Sequence, residues 1–231
     1  VPFDLEAARH GNMYTKEAHD YFQRLQFKNL LGRFDVEADS NDVEEYFKEI
    51  TEKAEIERVF AEAMKAKLVG VGISEDAGNV LPLFAHESGY GRISLAYDRE
   101  KIYTIPADME VNMDYLFGKL TELAKKVDTF ALCNLKKYLS LISVEKEEQC
   151  FDPILAAYLL NPLKNDYDFE DIAREQLNLI IDEKADEKTK SCYEAYTAFA
   201  SVEILKKKLD ETKMKKLFDE IEMPLLFTLY D

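Results

Sequence analysis

The sequence predicts an α/β domain, a mixed sheet flanked by helices. Three observations carry that expectation. Residues 68–74 (LVGVGIS) form a near-continuous apolar run, as expected of a strand covered on both faces. Two further runs, 92–97 and 101–105, alternate around the charged triplet Asp98-Arg99-Glu100 and predict a hairpin. A fourth run, 129–133, returns as a strand after helical pattern has begun, so strands and helices share one layer system.

The other elements follow in order. Residues 15–34 place Ala18, Phe22, Leu25, Leu30 and Leu31 at helical spacing, with Gly32 as a stop. Residues 34–42 are acidic and turn-rich and predict a linker. A short strand is expected over 46–51. Residues 54–65 then put Ile56, Val59, Phe60, Ala63 and Met64 on one face of an amphipathic helix. A turn at 76–79 introduces a strand candidate at 80–85. From Asn112 helices dominate, with Met113, Leu116, Phe117, Leu120, Leu123 and Ala124 on one apolar face. Residues 152–160 predict a helix that stops at Asn161-Pro162. Asp166, Asp168, Glu170 and Asp171 suit the start of a helix near Phe169, where negative charge meets the dipole. Two long helices, 187–209 and 212–230, close the chain.

Charge and residue usage exclude several classes. The 231 residues carry 30 Lys+Arg against 46 Asp+Glu, a net charge of −16, which repels a phosphate backbone and argues against an autonomous nucleic-acid binder. No apolar run approaches the roughly 20 residues of a membrane span, so no membrane partner is expected. Cys133, Cys150 and Cys192 show no CxxC spacing, and no secretory signal precedes them, which points to reduced thiols in a cytoplasm. His10, His19 and His86 match no zinc pattern. The basic runs 206–208 and 213–216 alternate with acids and predict a solvated helix face. Gly70-x-Gly72 lacks the third glycine of a dinucleotide loop, and no role is assigned to it. Residue 1 is Val, and residues 223–231 are still an apolar run. The ends are therefore either cuts through a longer chain or, at the C-terminus, a docked helix.

The segment from Cys150 through Phe151-Asp152-Pro153 to Leu159-Leu160-Asn161-Pro162 resembles the "FD…LAAYLLNP" stretch of the 3′–5′ exonuclease region in the bacterial DNA polymerase I family (family A). Three other segments resemble that family in the same order. Asn12-Met13-Tyr14 through Phe34 is similar to the stretch joining the 5′-nuclease and exonuclease domains. Asn134-Leu135-Lys136 is similar to the family's "NLK". Glu220-Ile221-Glu222-Met223-Pro224-Leu225 is similar to the opening of the polymerase domain.

The resemblance implies a ribonuclease H-like 3′–5′ exonuclease fold over 36–210, the end of the 5′-nuclease region with its connecting helix over 1–35, and the start of the polymerase domain over 211–231. It also implies that DNA is met through the parent polymerase, that the partners are the polymerase and 5′-nuclease domains of the same chain, and that Mg²⁺ serves the parent.

Exonucleases of that family use two divalent metals roughly 3.5–4 Å apart, held by Asp-x-Glu on the first strand, an Asp after "NLK" and Tyr-x-x-x-Asp on a late helix. The i, i+2 spacing sets both strand acids on one side of the sheet, and i, i+4 sets Tyr and Asp on one helix face. Matched here, the strand acids fall on Val71 and Ile73, the next on Tyr138, and the helix pair on Tyr196 and Ala200. Apolar side chains cannot hold a hard cation, and a neutral Tyr is a poor ligand for one. The resemblance therefore implies a vestigial site: no catalytic residue, metal or cofactor in this segment, and a structural role beside an active polymerase. Two alternatives stand beside it, an active nuclease on relocated acids such as Asp98, Glu100 or Asp152, and a free-standing protein-interaction module.

Overall fold

The computed structural model describes Tyr21, residues 42–75 and residues 89–229, apart from residues 165 and 183. The chain divides into compact units Val1–Asp42 and Val43–Asp231, and the second is described here. The helix expected over 15–34 apart from Tyr21, most of the linker, the turn at 76–79 and the strand candidate at 80–85 lie outside the described residues.

A 3₁₀ turn, Asp42–Tyr46, leads into strand β1, Phe47–Glu49. Helix α1, Lys53–Ala63, buries Ile56, Val59, Phe60 and Ala63, the face that the spacing predicts. Strands β2, Leu68–Glu75, β3, Tyr90–Asp98, and β4, Lys101–Pro106, follow. Helix α2, Met113–Ala124, starts where the Asn112 side chain accepts from the Tyr115 N–H. After β5, Thr129–Leu132, comes β6, Cys150–Phe151, two residues that no periodicity could signal. Helix α3, Pro153–Leu160, is capped by Asp152, and α4, Phe169–Leu177, by a reciprocal box of Asp168 and Asp171. Helix α5 runs over Glu187–Glu211.

The final helix expected over 212–230 is broken. Lys213 takes a left-handed φ of 61°, just past the end of α5. A short α6, Lys215–Leu217, passes into a π-turn, Phe218–Glu222, and then α7, Met223–Thr228. Pro224 has no N–H to give, and its ring crowds the carbonyl four residues back, so the helix widens just before it.

The strands form a sheet in the order β1-β4-β3-β2-β5-β6. β2 is parallel to β5 and antiparallel to β3, and β5 is parallel to β6. This is the mixed sheet that the sequence predicts, with the recurring strand beside the central one. Cross-strand partners share a face. The row Val71–Leu95–Tyr103 and the row through Ile73, Ile93 and Ile105 build the larger core with α1 and α2. The alternate rows, Gly70–Ala96–Ile102 and Gly72–Ser94–Thr104, consist mostly of small residues and face α5. The Ser94 and Ser191 hydroxyls, 2.8 Å apart, tie that face to the helix. Helices α3 and α4 pack on α5. Among the described residues no helix is long and apolar enough to cross a membrane.

Candidate exonuclease-like site

For carboxylates on a strand and on a helix to share two metals, the strand acids must stand on the face that the helix covers. On β2 that face is lined by Gly70 and Gly72. A β-carbon on Gly70 would lie 2.2 Å from the Ala195 carbonyl oxygen and 2.3 Å from the Phe199 nitrogen. One on Gly72 would lie 2.4 Å from the Ser191 carbonyl oxygen. The α5 backbone thus fills the space that side chains at these positions need. The glycine pair to which the sequence assigned no role is what lets α5 seat against the sheet.

Val71 and Ile73 point to the opposite face and are buried in the larger core. Tyr138 joins them there. Its ring centroid is 5.7 Å from that of Tyr90, and its hydroxyl donates to the Ile73 carbonyl oxygen at 3.4 Å. Tyr196 instead packs against the smaller core on the α5 side, with its ring 6.5 Å from Phe199, and burial pushes its phenol up. Ala200 is half-buried one turn further along. The structure therefore brings Val71, Ile73 and Tyr138 together and leaves Tyr196 and Ala200 apart from them. The period of two sets this division: Val71 and Ile73 share the face of β2 turned away from α5, and the β2 residues one position along face α5.

Glu194, an α5 side chain that the sequence reading missed, hydrogen-bonds β2. Its Oε2 accepts from the Ile73 N–H at 3.0 Å. Enclosure between strand and helix pushes its carboxyl up to about 8, nearby Glu170 adds to the rise, and Lys137 opposes it. The signal was available as Ser191, Ala195 and Ala198, a small-residue stripe on α5 matching Gly70 and Gly72.

The relocated acids do not gather either. Asp152 is buried and accepts from the N–H groups of Asn134 at 3.1 Å, Leu135 at 2.8 Å, Ile154 at 2.9 Å and Leu155 at 3.4 Å. Burial pushes its carboxyl up to about 6 against the pull of those four donors. Both oxygens are committed to fixing the left-handed turn at Asn134, φ 57°, to the start of α3. Asp98 and Glu100 form the β3–β4 turn, with the Glu100 N–H donating to Asp98 Oδ1 at 3.1 Å. Because β3 is antiparallel to β2, that turn lies at the start of β2, the opposite end of the sheet from Asp152. Among the described residues no three His, Cys, Asp or Glu side chains form a group fit for a metal ion. The two-metal centre implied by the resemblance does not fit these residues.

No protein-family model matches the chain, and no curated protein matches its sequence. Solved structures do match. The POL domain of Pol1 from M. smegmatis, in complex with DNA primer-template and dNTP, superposes over 79% of this chain and 31% of its own, with TM-score 0.60 and 15% identity. The catalytic core of RRP6 from Trypanosoma brucei matches over 78% of this chain and 51% of its own, at TM-score 0.59 and 14% identity. Brucella melitensis NrnC bound to pGG matches over 80% of this chain and 90% of its own, at TM-score 0.54 and 12% identity. The fold is that of ribonuclease H-like 3′–5′ exonucleases. The chain spans about a third of the mycobacterial chain and half of the trypanosomal one. At these identities the likeness carries the fold and no more. Within the fold, α5 is the helix that crosses the central strand.

Proposed function

We propose that this chain is a vestigial 3′–5′ exonuclease-like domain of a polymerase I-type protein, with a structural role between a 5′-nuclease domain and a DNA polymerase domain. One observation carries this reading: the α5 backbone occupies the space that side chains at Gly70 and Gly72 need. Whether the family's strand acids are matched to Val71 and Ile73 or moved by one residue onto the α5 face, no carboxylate stands there. The water activation and leaving-group stabilisation that two metals supply have no ligands to build on.

In this reading, template-directed synthesis, with its Mg²⁺, belongs to the parent polymerase, and DNA meets this segment only through that parent. The −16 charge fits a domain that does not hold DNA alone. The test is degradation of 3′-labelled single-stranded DNA by the 231-residue chain with Mg²⁺ or Mn²⁺. The expected result is intact substrate. Metal-dependent release of mononucleotides would overturn the proposal.

A further inference from the structure

Strands β2 and β5 run side by side only as far as the Val71–Leu132 pair, and the chain then leaves β5 through the left-handed Asn134. β2 goes on to Glu75. Backbone groups alternate between the two sides of a strand, so Ile73, two beyond Val71, offers its N–H and carbonyl oxygen to the side that β5 has left. Side chains take the place of the missing strand. Glu194 Oε2 accepts from the Ile73 N–H at 3.0 Å, and the Tyr138 hydroxyl donates to the Ile73 carbonyl oxygen at 3.4 Å.

One of these two closing groups is a carboxyl, and its neighbours decide what a charge there would do. From α4 comes Glu170, in the first turn and itself pushed up by burial and by Asp168. Lys190 on α5 acts on Glu170 in the opposite sense. From the end of β5 comes Cys133, a buried thiol that burial keeps protonated and that also feels Asp152 and Asp168. From the turn after β5 comes Lys137, which opposes the rise at Glu194 but is drawn over the Tyr90 and Tyr138 rings at 5.5 and 5.4 Å. An ionised Glu194 therefore meets a like charge on α4 in an enclosed space, while in water it is fully solvated. Relief lies in giving its proton to water, releasing the Ile73 N–H and turning outward.

We propose that Glu194 is a proton-operated latch: protonated, it holds the end of β2 across the gap that β5 leaves, and ionised, it lets go of Ile73 and that end of the strand opens while the rest of the sheet stays folded. The latch works between the ordinary carboxyl value of 4.5 and about 8.

The test is amide hydrogen exchange by NMR on the isotope-labelled 231-residue chain, with the chemical exchange rate divided out at each pH. Between about pH 5.5 and about pH 7.5 protection of the Ile73 N–H should fall by about tenfold per pH unit, the slope of one proton released on opening. Amides that pair β3 with β4 should stay about a hundredfold or more better protected at each pH, because the latch opens without unfolding. Glu194→Gln keeps the acceptor, cannot ionise, and should show Ile73 protection that does not change with pH. Glu170→Gln removes the like charge and should raise Ile73 protection by about threefold or more near the upper pH while matching the parent near the lower one. Four results would each overturn the proposal. They are Ile73 protection equal to that of the β3 amides, protection that does not fall with pH in the parent, an equal fall in Glu194→Gln, and no gain in Glu170→Gln.

Discussion

A β-carbon built on Gly70 would stand 2.2 Å from the carbonyl oxygen of Ala195, so the central strand and α5 touch backbone to backbone. Neither partner is the movable end of a side chain, and relief requires shifting α5 as a whole. Gly70→Ala should therefore cost about 3 kcal/mol or more, at or beyond the upper end of ordinary overpacking. Gly118 supplies the internal control: it is exposed in α2, and an added β-carbon there would meet nothing within 4 Å. Gly118→Ala should stabilise by about 0.5–1 kcal/mol through helix propensity. Urea unfolding of both variants checks the pair; a mild Gly70→Ala would mean that α5 does not sit this close.

Reinstating acids where the resemblance puts them should not recreate a nuclease. Val71→Asp with Ile73→Glu points two carboxylates into an apolar core, away from α5, and each uncompensated charge costs several kcal/mol. The expected result is a protein that fails to fold cooperatively by circular dichroism and releases no nucleotides with Mg²⁺. A folded, metal-dependent nuclease would place those residues on the wrong face of the sheet.

The sheet and its helices were legible because burial imposes a period. Residues 68–74, the 92–105 hairpin and the stripe from Met113 to Ala124 each show the repeat of the surface they bury. Two-residue β6 has no period to show, and the break at Lys213 comes from a backbone conformation that no composition rule flags. The site was harder. Matching the "DxE" pattern one residue off exchanges the two faces of β2, and only contact with α5 tells Gly72 from Val71. Asp152 was visible as an acid, but its four backbone donors come from turns that become neighbours only in the fold.

Those donors make Asp152 a structural clamp with a measurable worth. Asp152→Ala leaves buried N–H groups of two segments without an acceptor and should cost about 3 kcal/mol or more. Asp152→Asn keeps Oδ1 for Asn134, Ile154 and Leu155 but can turn an NH₂ toward the Leu135 N–H, and about 2 kcal/mol is expected. Thermal and urea unfolding should rank the variants in that order. A neutral Asp152→Ala would contradict the clamp.

Glu194 should leave a pH signature. Its ordinary value is 4.5, and in the fold enclosure pushes it up to about 8. Between those values the folded chain keeps a proton that the unfolded chain has lost, so this group makes stability fall as pH rises through the window. Glu194→Gln keeps an acceptor for the Ile73 N–H and removes the titration. The variant and parent should have similar stability near pH 4.5, and by pH 8 the variant should be ahead by up to a few kcal/mol. Asp152, pushed up to about 6, tilts both curves equally and cancels in their difference. Urea midpoints measured every half pH unit provide the check, and parallel curves would mean that Glu194 is ionised in the fold.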